Sequence, residues 1–348
     1  MAVAASSPKA ARAGRELSFE ARQARLALIL LLPTIAVLII VAFYPLARTF
    51  TSSFTDEPFA QPDAPVNQVG LANYQRLLSF QLLLFPEDMA LRDVLPEPVN
   101  GARYQRVQNI DLFGTRYVLV ATDPDFIVSV FNTIIFTFFS VTLELTLGLV
   151  VAMVVNARFR GRGVMRAIML IPWAIPTAIS TVLWRHMLGD NSSGAMNAIL
   201  LQLGLISQSQ AWRASYPLFS VVFVDVWKTI PFMALLLLAG LQTISGDLYE
   251  AASVDGANPI QRFFRITLPL LMPTIVIALI FRTLDALRAF DVFQVLLGRS
   301  TPSMAVYNYE KLVSSFQYGY ASAIGVIIFI LIFAFTVLYM SAFGVEED

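Results

Sequence analysis

The chain reads as an all-α integral membrane protein, with six transmembrane helices and a small extracytoplasmic insertion between the first two. Composition is the first observation: of 348 residues, 57% are hydrophobic and 14% charged, against about 45–50% and about 25% in soluble domains. The second is the spacing of the apolar runs, each long enough at about 1.5 Å per residue to cross a hydrocarbon core of about 30 Å. The third is the placement of arginines at the run ends that would lie inside. A formal net charge of +0 leaves no global basic field for nucleic acid. With no cysteine the chain has no disulfides or thiolate sites, and with one histidine, His186, it has no zinc-binding imidazole cluster.

Residues 1–25 form a basic tail, with Lys9, Arg12, Arg15, Arg22 and Arg25 against Glu16 and Glu20. The first transmembrane helix, 26–50, opens with Leu26 to Tyr44, a run too long and too late for a cleaved leader, which reaches Pro45 without a small-residue cleavage pattern. Residues 51–125 are proline-rich and more acidic than basic, as expected of an extracytoplasmic subdomain; GLANYQRLLSF predicts a short helix and the alternation around Asn109 to Gly114 a hairpin. Residues 126–343 are the core. Its second span, Phe126 to Val155, holds one charge, Glu144, which should face other helices rather than lipid. A basic turn follows (Arg158, Arg160, Arg162, Arg166), then a third span, Ala167 to Trp184, that Pro172 and Pro176 can bend. Gly189 to Ser215 reads as an outer loop with an amphipathic stretch at Met196 to Leu203. The remaining spans are Tyr216 to Leu241, Ile266 to Phe290 and Ala321 to Phe343, leaving 344–348 as an inner tail. Both termini are then cytoplasmic.

Between the fourth and fifth spans lies a polar segment, DLYEAASVDGANPIQRFFRITLP. Asp247 can cap a first short helix, Asp255-Gly256 supplies a turn with φ > 0, and Asn258-Pro259 starts a second helix with Ile260, Phe263 and Phe264 on its apolar face. Read alone, the segment is either an interfacial linker or a partner-binding hairpin. Glu250, Ala251, Ala252, Asp255, Gly256, Ala257, Phe263, Ile266, Leu268 and Pro269 resemble the EAA loop of ABC importer permeases, the cytoplasmic hairpin at 247–268 on which an ATPase docks. The flanking DVWKTIPFM and GLQTI runs resemble the carbohydrate-uptake branch, the larger partner-type permease of maltose and trehalose systems. That resemblance implies a second permease subunit, two copies of an ABC ATPase, an extracytoplasmic sugar-binding protein, a bacterial or archaeal cytoplasmic membrane, and alternating access. It also implies no cofactor on this chain, ATP and magnesium being held by the ATPase. Consistently, the sequence has no GxxxxGK[ST], HExxH or GxSxG motif. Ser79 to Thr122 resembles, in position, the external domain of maltose-type permeases, but is shorter.

Charges inside the spans are the candidate substrate groups. Asp225 and Lys228 share a helix face and can partly neutralise each other, with Thr229 and Phe232 continuing that face past Pro231. Such a set suits a sugar, whose hydroxyls take charged partners while its ring covers an aromatic; it equally suits a structural ion pair. The resemblance places the sugar site of the maltose permease at positions matching Asp225, Thr229 and Phe232, and around Asp285 to Ala289. Arg282, Asp285, Arg288 and Asp291 alternate in sign along the fifth span, so neighbours can pair, but the ladder wraps around half the helix and not all four can face one cavity. The substrate candidates are therefore Asp225, Lys228, Thr229, Phe232, Asp285 and Arg288, with no role given to Glu144. The rival readings are an ion-coupled secondary transporter using Glu144 and Asp225, a permease for another solute such as glycerol phosphate, and a membrane-embedded enzyme.

Overall fold

Prolines and capping residues decide where the helices begin, bend and stop. The computed structural model describes residues 19–343 apart from 62, 86–90, 113, 158 and 192. The basic tail up to residue 18, the inner tail at 344–348 and Arg158 of the basic turn lie outside the described residues. The chain divides after Thr51 into two compact units. The first is a helical rod: α1 (Phe19–Leu38), a π-helical turn (Ile39–Phe43) and α2 (Tyr44–Ser52). Pro45 has no N–H for the carbonyl one turn back, and the wider turn lies just before it. None of the most apolar window of the stretch Gln23–Ser52 is buried, as suits a helix surrounded by hydrocarbon.

The second unit begins with the insertion: α3 (Ala72–Leu78), β1 (Phe80–Leu84), α4 (Leu91–Val94), β2 (Gln105–Leu112) and β3 (Thr115–Ala121). The expected helix and hairpin are both here, and the hairpin closes at Leu112 opposite Thr115 with Gly114 at φ 78°. The β1 strand completes an antiparallel sheet of order β1-β3-β2. Strand alternation makes two cores from β3. Val118 and Val120 join Tyr104, Leu83 and Phe85 on one face, while Leu119 and Ala121 join Leu77, Phe126, Tyr307 and Tyr320 on the other.

That second cluster seats the sheet on α5 (Pro124–Asn156), the longest helix. Its N-cap is Asp123, buried, whose Oδ1 accepts from the Phe126 N–H at 3.1 Å. The same carboxylate accepts the Tyr307 hydroxyl at 2.6 Å and also that of Tyr320. Burial, and then the Asp123 charge, push the Tyr307 phenol up, so it stays a donor. Next come α6 (Arg162–Met169), α7 (Ile171–Ala174) and α8 (Thr177–Met187). The expected third span is thus a broken one, bent by 88° between α7 and α8, at Ile175-Pro176. The following loop holds α9 (Ala195–Gln202) and α10 (Trp212–Ser215). It is knotted by buried Asn197, which donates to the Gly189 and Gln210 carbonyls at 3.0 Å and accepts from the Trp212 indole at 3.0 Å.

The remaining helices are α11 (Pro217–Leu241), α12 (Gly246–Val254), α13 (Pro259–Arg262), α14 (Leu268–Leu287), α15 (Asp291–Leu296), α16 (Met304–Tyr309) and α17 (Tyr318–Phe343). By length and composition the described residues hold five membrane-crossing helices, or six with the bent pair. The α5, α11 and α14 helices pack together at the centre. Gly240 lets α11 and α14 meet: a Cβ there would lie 2.7 Å from Leu271 Cδ1 and 2.8 Å from Thr274 Cβ.

Candidate functional site

Residues of α7, α8, α11, α14 and the start of α15 converge on one hollow of about 540 Å³, inside the size range of small-molecule sites. The α11 helix supplies Asp225, Lys228, Thr229 and Phe232; α14 supplies Phe281, Arg282 and Asp285; the loop after it gives Arg288 to Phe290 and the start of α15 gives Asp291; the α7/α8 break gives Trp173 and Thr177. All six residues singled out from sequence as substrate groups line it.

Their pairing differs from the expected one. Lys228 makes no direct bond to Asp225, although the Asp225 charge still acts on it; its Nζ donates to the Trp173 carbonyl at 3.1 Å. The cause is the break in the third span, since α7 stops at Ala174 and its last carbonyls lack helical partners that a cation can supply. The same contact brings Trp173 over Phe232, the rings stacked at 5.9 Å and 11°. Asp225 bonds to Arg282 instead.

Arg282 is the hub. It is 2% exposed and its guanidinium meets three carboxylates: Glu144 of α5 through Nε and, at 3.0 Å, through Nη2; Asp225 of α11 through Nη2; and Asp285, one turn along α14, through Nη1 at 2.9 Å. Glu144, itself fully buried, is therefore not a lone charge: it joins α5 to α14. Breaking such a pair leaves an uncompensated charge, at a cost of about 3–5 kcal/mol. Sequence reading missed this network because its members are 138 and 57 residues apart. One signal was present, since Glu144 is the single charge of its span and an acid there must find a cation on another helix in a low dielectric.

The sign-alternating ladder pairs as expected between Arg282 and Asp285, and more loosely between Arg288 and Asp285 at 3.9 Å. All four of its members nonetheless line the hollow, against expectation. The α14 helix ends at Leu287, before the expected Phe290, with Arg288 as C-cap at φ −108°. Asp291 then opens α15 on a new axis, so the periodicity argument no longer applies. A second hollow of about 530 Å³ between α5 and α11 is lined by aliphatic and aromatic side chains and lacks the charged groups that bind hydroxyls.

The polar hairpin joins the C-terminal end of α11 to the start of α14. Its first helix, α12, is capped by Ser245, which accepts from the Asp247 N–H at 3.3 Å, so Asp247 sits in the first turn rather than at the cap. It ends in a tight reversal: Gly256 N–H bonds the Ser253 carbonyl at 3.2 Å and Ala257 N–H the Ala252 carbonyl at 2.9 Å, with Gly256 at φ 79°. Asn258 caps α13 reciprocally with Gln261. The second arm then runs through a π-helical turn, Phe263–Thr267, directly into α14. Arg262 bonds Ser253 at 2.7 Å and Tyr249 meets Thr267 at 3.0 Å, tying the arms together and to the base of α14. Glu250, Ala251, Asp255 and Gly256 are exposed, Ala252, Ala257 and Phe263 half-buried. Val254, Ile260 and Phe264 stand out at 88%, 69% and 59% exposure, apolar side chains on both arms of the hairpin that a protein partner would cover.

Residues 144–343 match the family of binding-protein-dependent transport system inner membrane components. Over 333 residues the chain is 39% identical to the trehalose/maltose transport system permease protein MalF of Thermococcus litoralis, covering 94% of this chain and 96% of that one. The chain belongs to this permease family. It is also similar over a shorter stretch to the trehalose transport permease SugA of Mycobacterium tuberculosis, 47% identical across 126 residues, covering 36% of this chain and 41% of SugA. In fold, the permease matches a chain of a bacterial ABC transporter involved in import of the acidic polysaccharide alginate. The TM-score is 0.69 at 20% identity, covering 94% of this chain and 98% of that one. It is therefore a multi-pass membrane permease subunit whose hairpin joins the end of α11 to α14, while its hollow is lined by the middle of α11 and the C-terminal end of α14.

Proposed function

We propose that this permease is one half of a heterodimeric pore through which an ATP-driven importer moves a di- or oligosaccharide of the maltose or trehalose kind by alternating access. The observation that carries the proposal is the hollow itself. Carboxylates and cations able to bond hydroxyls stand beside a stacked Trp173/Phe232 wall able to cover a sugar ring, in a chain alike end to end to a trehalose/maltose permease. Asp225, Lys228, Thr229, Phe232, Asp285 and Arg288 contact the sugar. A phosphate ester fits this lining less well, because Arg282 is already met by three carboxylates.

The hairpin faces the cytoplasm, as do both termini, and the exposed Val254, Ile260 and Phe264 side chains seat one of two ATPase copies, which bind the ATP and magnesium. Movement of the hairpin passes through the π-helical turn at Phe263–Thr267 into α14, and so reaches Arg282 and Asp285. A sugar-binding protein delivers cargo from the opposite side; the bacterial alginate transporter has been seen in complex with a periplasmic protein bound to an alginate pentasaccharide.

Uptake of labelled maltose and trehalose into vesicles holding the complete transporter tests this. Uptake should require internal ATP and the binding protein and survive an ionophore. Uptake without ATP that an ionophore abolishes would overturn the proposal in favour of ion coupling.

A further inference from the structure

Arg282 and Glu144 have a division of labour that neither the sequence reading nor the family relationship assigns. A guanidinium carries five N–H donors. Four bonds to carboxylates are made here: one from Nε to Glu144, two from Nη2 to Glu144 and Asp225, and one from Nη1 to Asp285. One hydrogen, on Nη1, remains over. Nη1 is the nitrogen bonded to Asp285, whose side chain is 64% exposed, and Arg282 itself lines the hollow. Glu144 is fully buried behind it and lines no part of that hollow. We propose that Arg282 donates its remaining Nη1 hydrogen to a sugar hydroxyl, and that Glu144 is a positioning residue that aims it without touching sugar.

The geometry supports the assignment in two ways. Glu144 takes Arg282 side-on through both oxygens, which fixes the plane of the guanidinium and hence the direction of Nη1. Asp225 and Asp285 each keep acceptor lone pairs, so donor and acceptors stand side by side, as adjacent hydroxyls of a pyranose require. A guanidinium in this environment stays charged, so the donor does not switch off across the physiological pH range.

The inference rests on the sugar-site reading, and the test separates the two. The complete transporter, with its partner permease, ATPases and binding protein, is trapped with a non-hydrolysable ATP analogue, and [14C]trehalose retained per complex is measured beside binding-protein-stimulated ATP hydrolysis. Glu144→Asp, one methylene shorter, draws Arg282 toward α5. It should assemble and hydrolyse ATP within twofold of the unaltered complex while retention falls at least fivefold, and Glu144→Gln should lose at least as much. Retention and hydrolysis falling together in both variants, or failure of both to assemble, would make Glu144 a purely structural anchor and overturn the proposal. So would unchanged retention in both variants while Asp225→Asn loses it. Retention unchanged in Asp225→Asn as well, or absent from the unaltered complex, would instead overturn the sugar-site reading.

Discussion

At the scale of single residues, the permease concentrates its buried charge on one guanidinium, and this ranks the carboxylates around it by what each can do. Asp225 is mostly buried yet lines the hollow, so it serves Arg282 and remains within reach of substrate. Asn in its place keeps the size and one acceptor but loses the charge. We expect Asp225→Asn to lower transport at least tenfold, equivalent to about 1.4 kcal/mol, with the ATPase still co-purifying. Unimpaired transport by the assembled variant would remove Asp225 from the site, and loss of assembly would make it structural alone. The six substrate candidates were legible in sequence because charges and an aromatic recurred at helical spacing inside apolar runs. Their pairing was not. Lys228 turned to the Trp173 carbonyl and Asp225 to Arg282 because the bonding partners came from other helices, which spacing along one helix does not reveal.

At the scale of elements, the hairpin is held by local chemistry and was correspondingly readable. The Asn258-Pro259 start and the Gly256 turn both formed as their residue types dictate; the Asp247 cap moved two residues back, to Ser245, since both residues can accept from an early N–H. A β-branched side chain at the Gly256 φ of 79° costs about 1–2 kcal/mol, enough to reshape the reversal without unfolding spans that it does not touch. Gly256→Val should therefore leave the permease inserted but lower co-purification of the ATPase and transport together. Full sugar uptake by this variant would count against docking at the hairpin. Two spans departed from expectation for one reason: hydropathy reports length, not direction. The third is bent by 88° at Ile175-Pro176, and α14 stops at Leu287 so that Arg288 to Asp291 wrap the hollow.

At the scale of the whole molecule, α11 and α14 link the hairpin to the hollow. The two helices pack closely at Gly240, beside the hairpin that joins them, and the charged hollow is lined by the middle of α11 and the C-terminal end of α14. A push on the hairpin thus has a continuous helical route to the groups that would hold sugar. The insertion's sheet, seated on the start of α5 through Leu119 and Ala121, rests on the end of the core remote from the hairpin. Its strands were partly visible as alternation, but that β1 would close the sheet beside β3 depends on pairing across some forty residues of sequence, which no local pattern encodes. The central claim, that sugar passes through this hollow, has a direct test because the chain contains no cysteine. Thr229→Cys places a single thiol in the lining of the hollow. In the complete transporter held with ATP, a small charged methanethiosulfonate should label that thiol, and saturating sugar with the binding protein should slow labelling at least fivefold; labelling at an unchanged rate while the same preparation transports sugar would contradict the account.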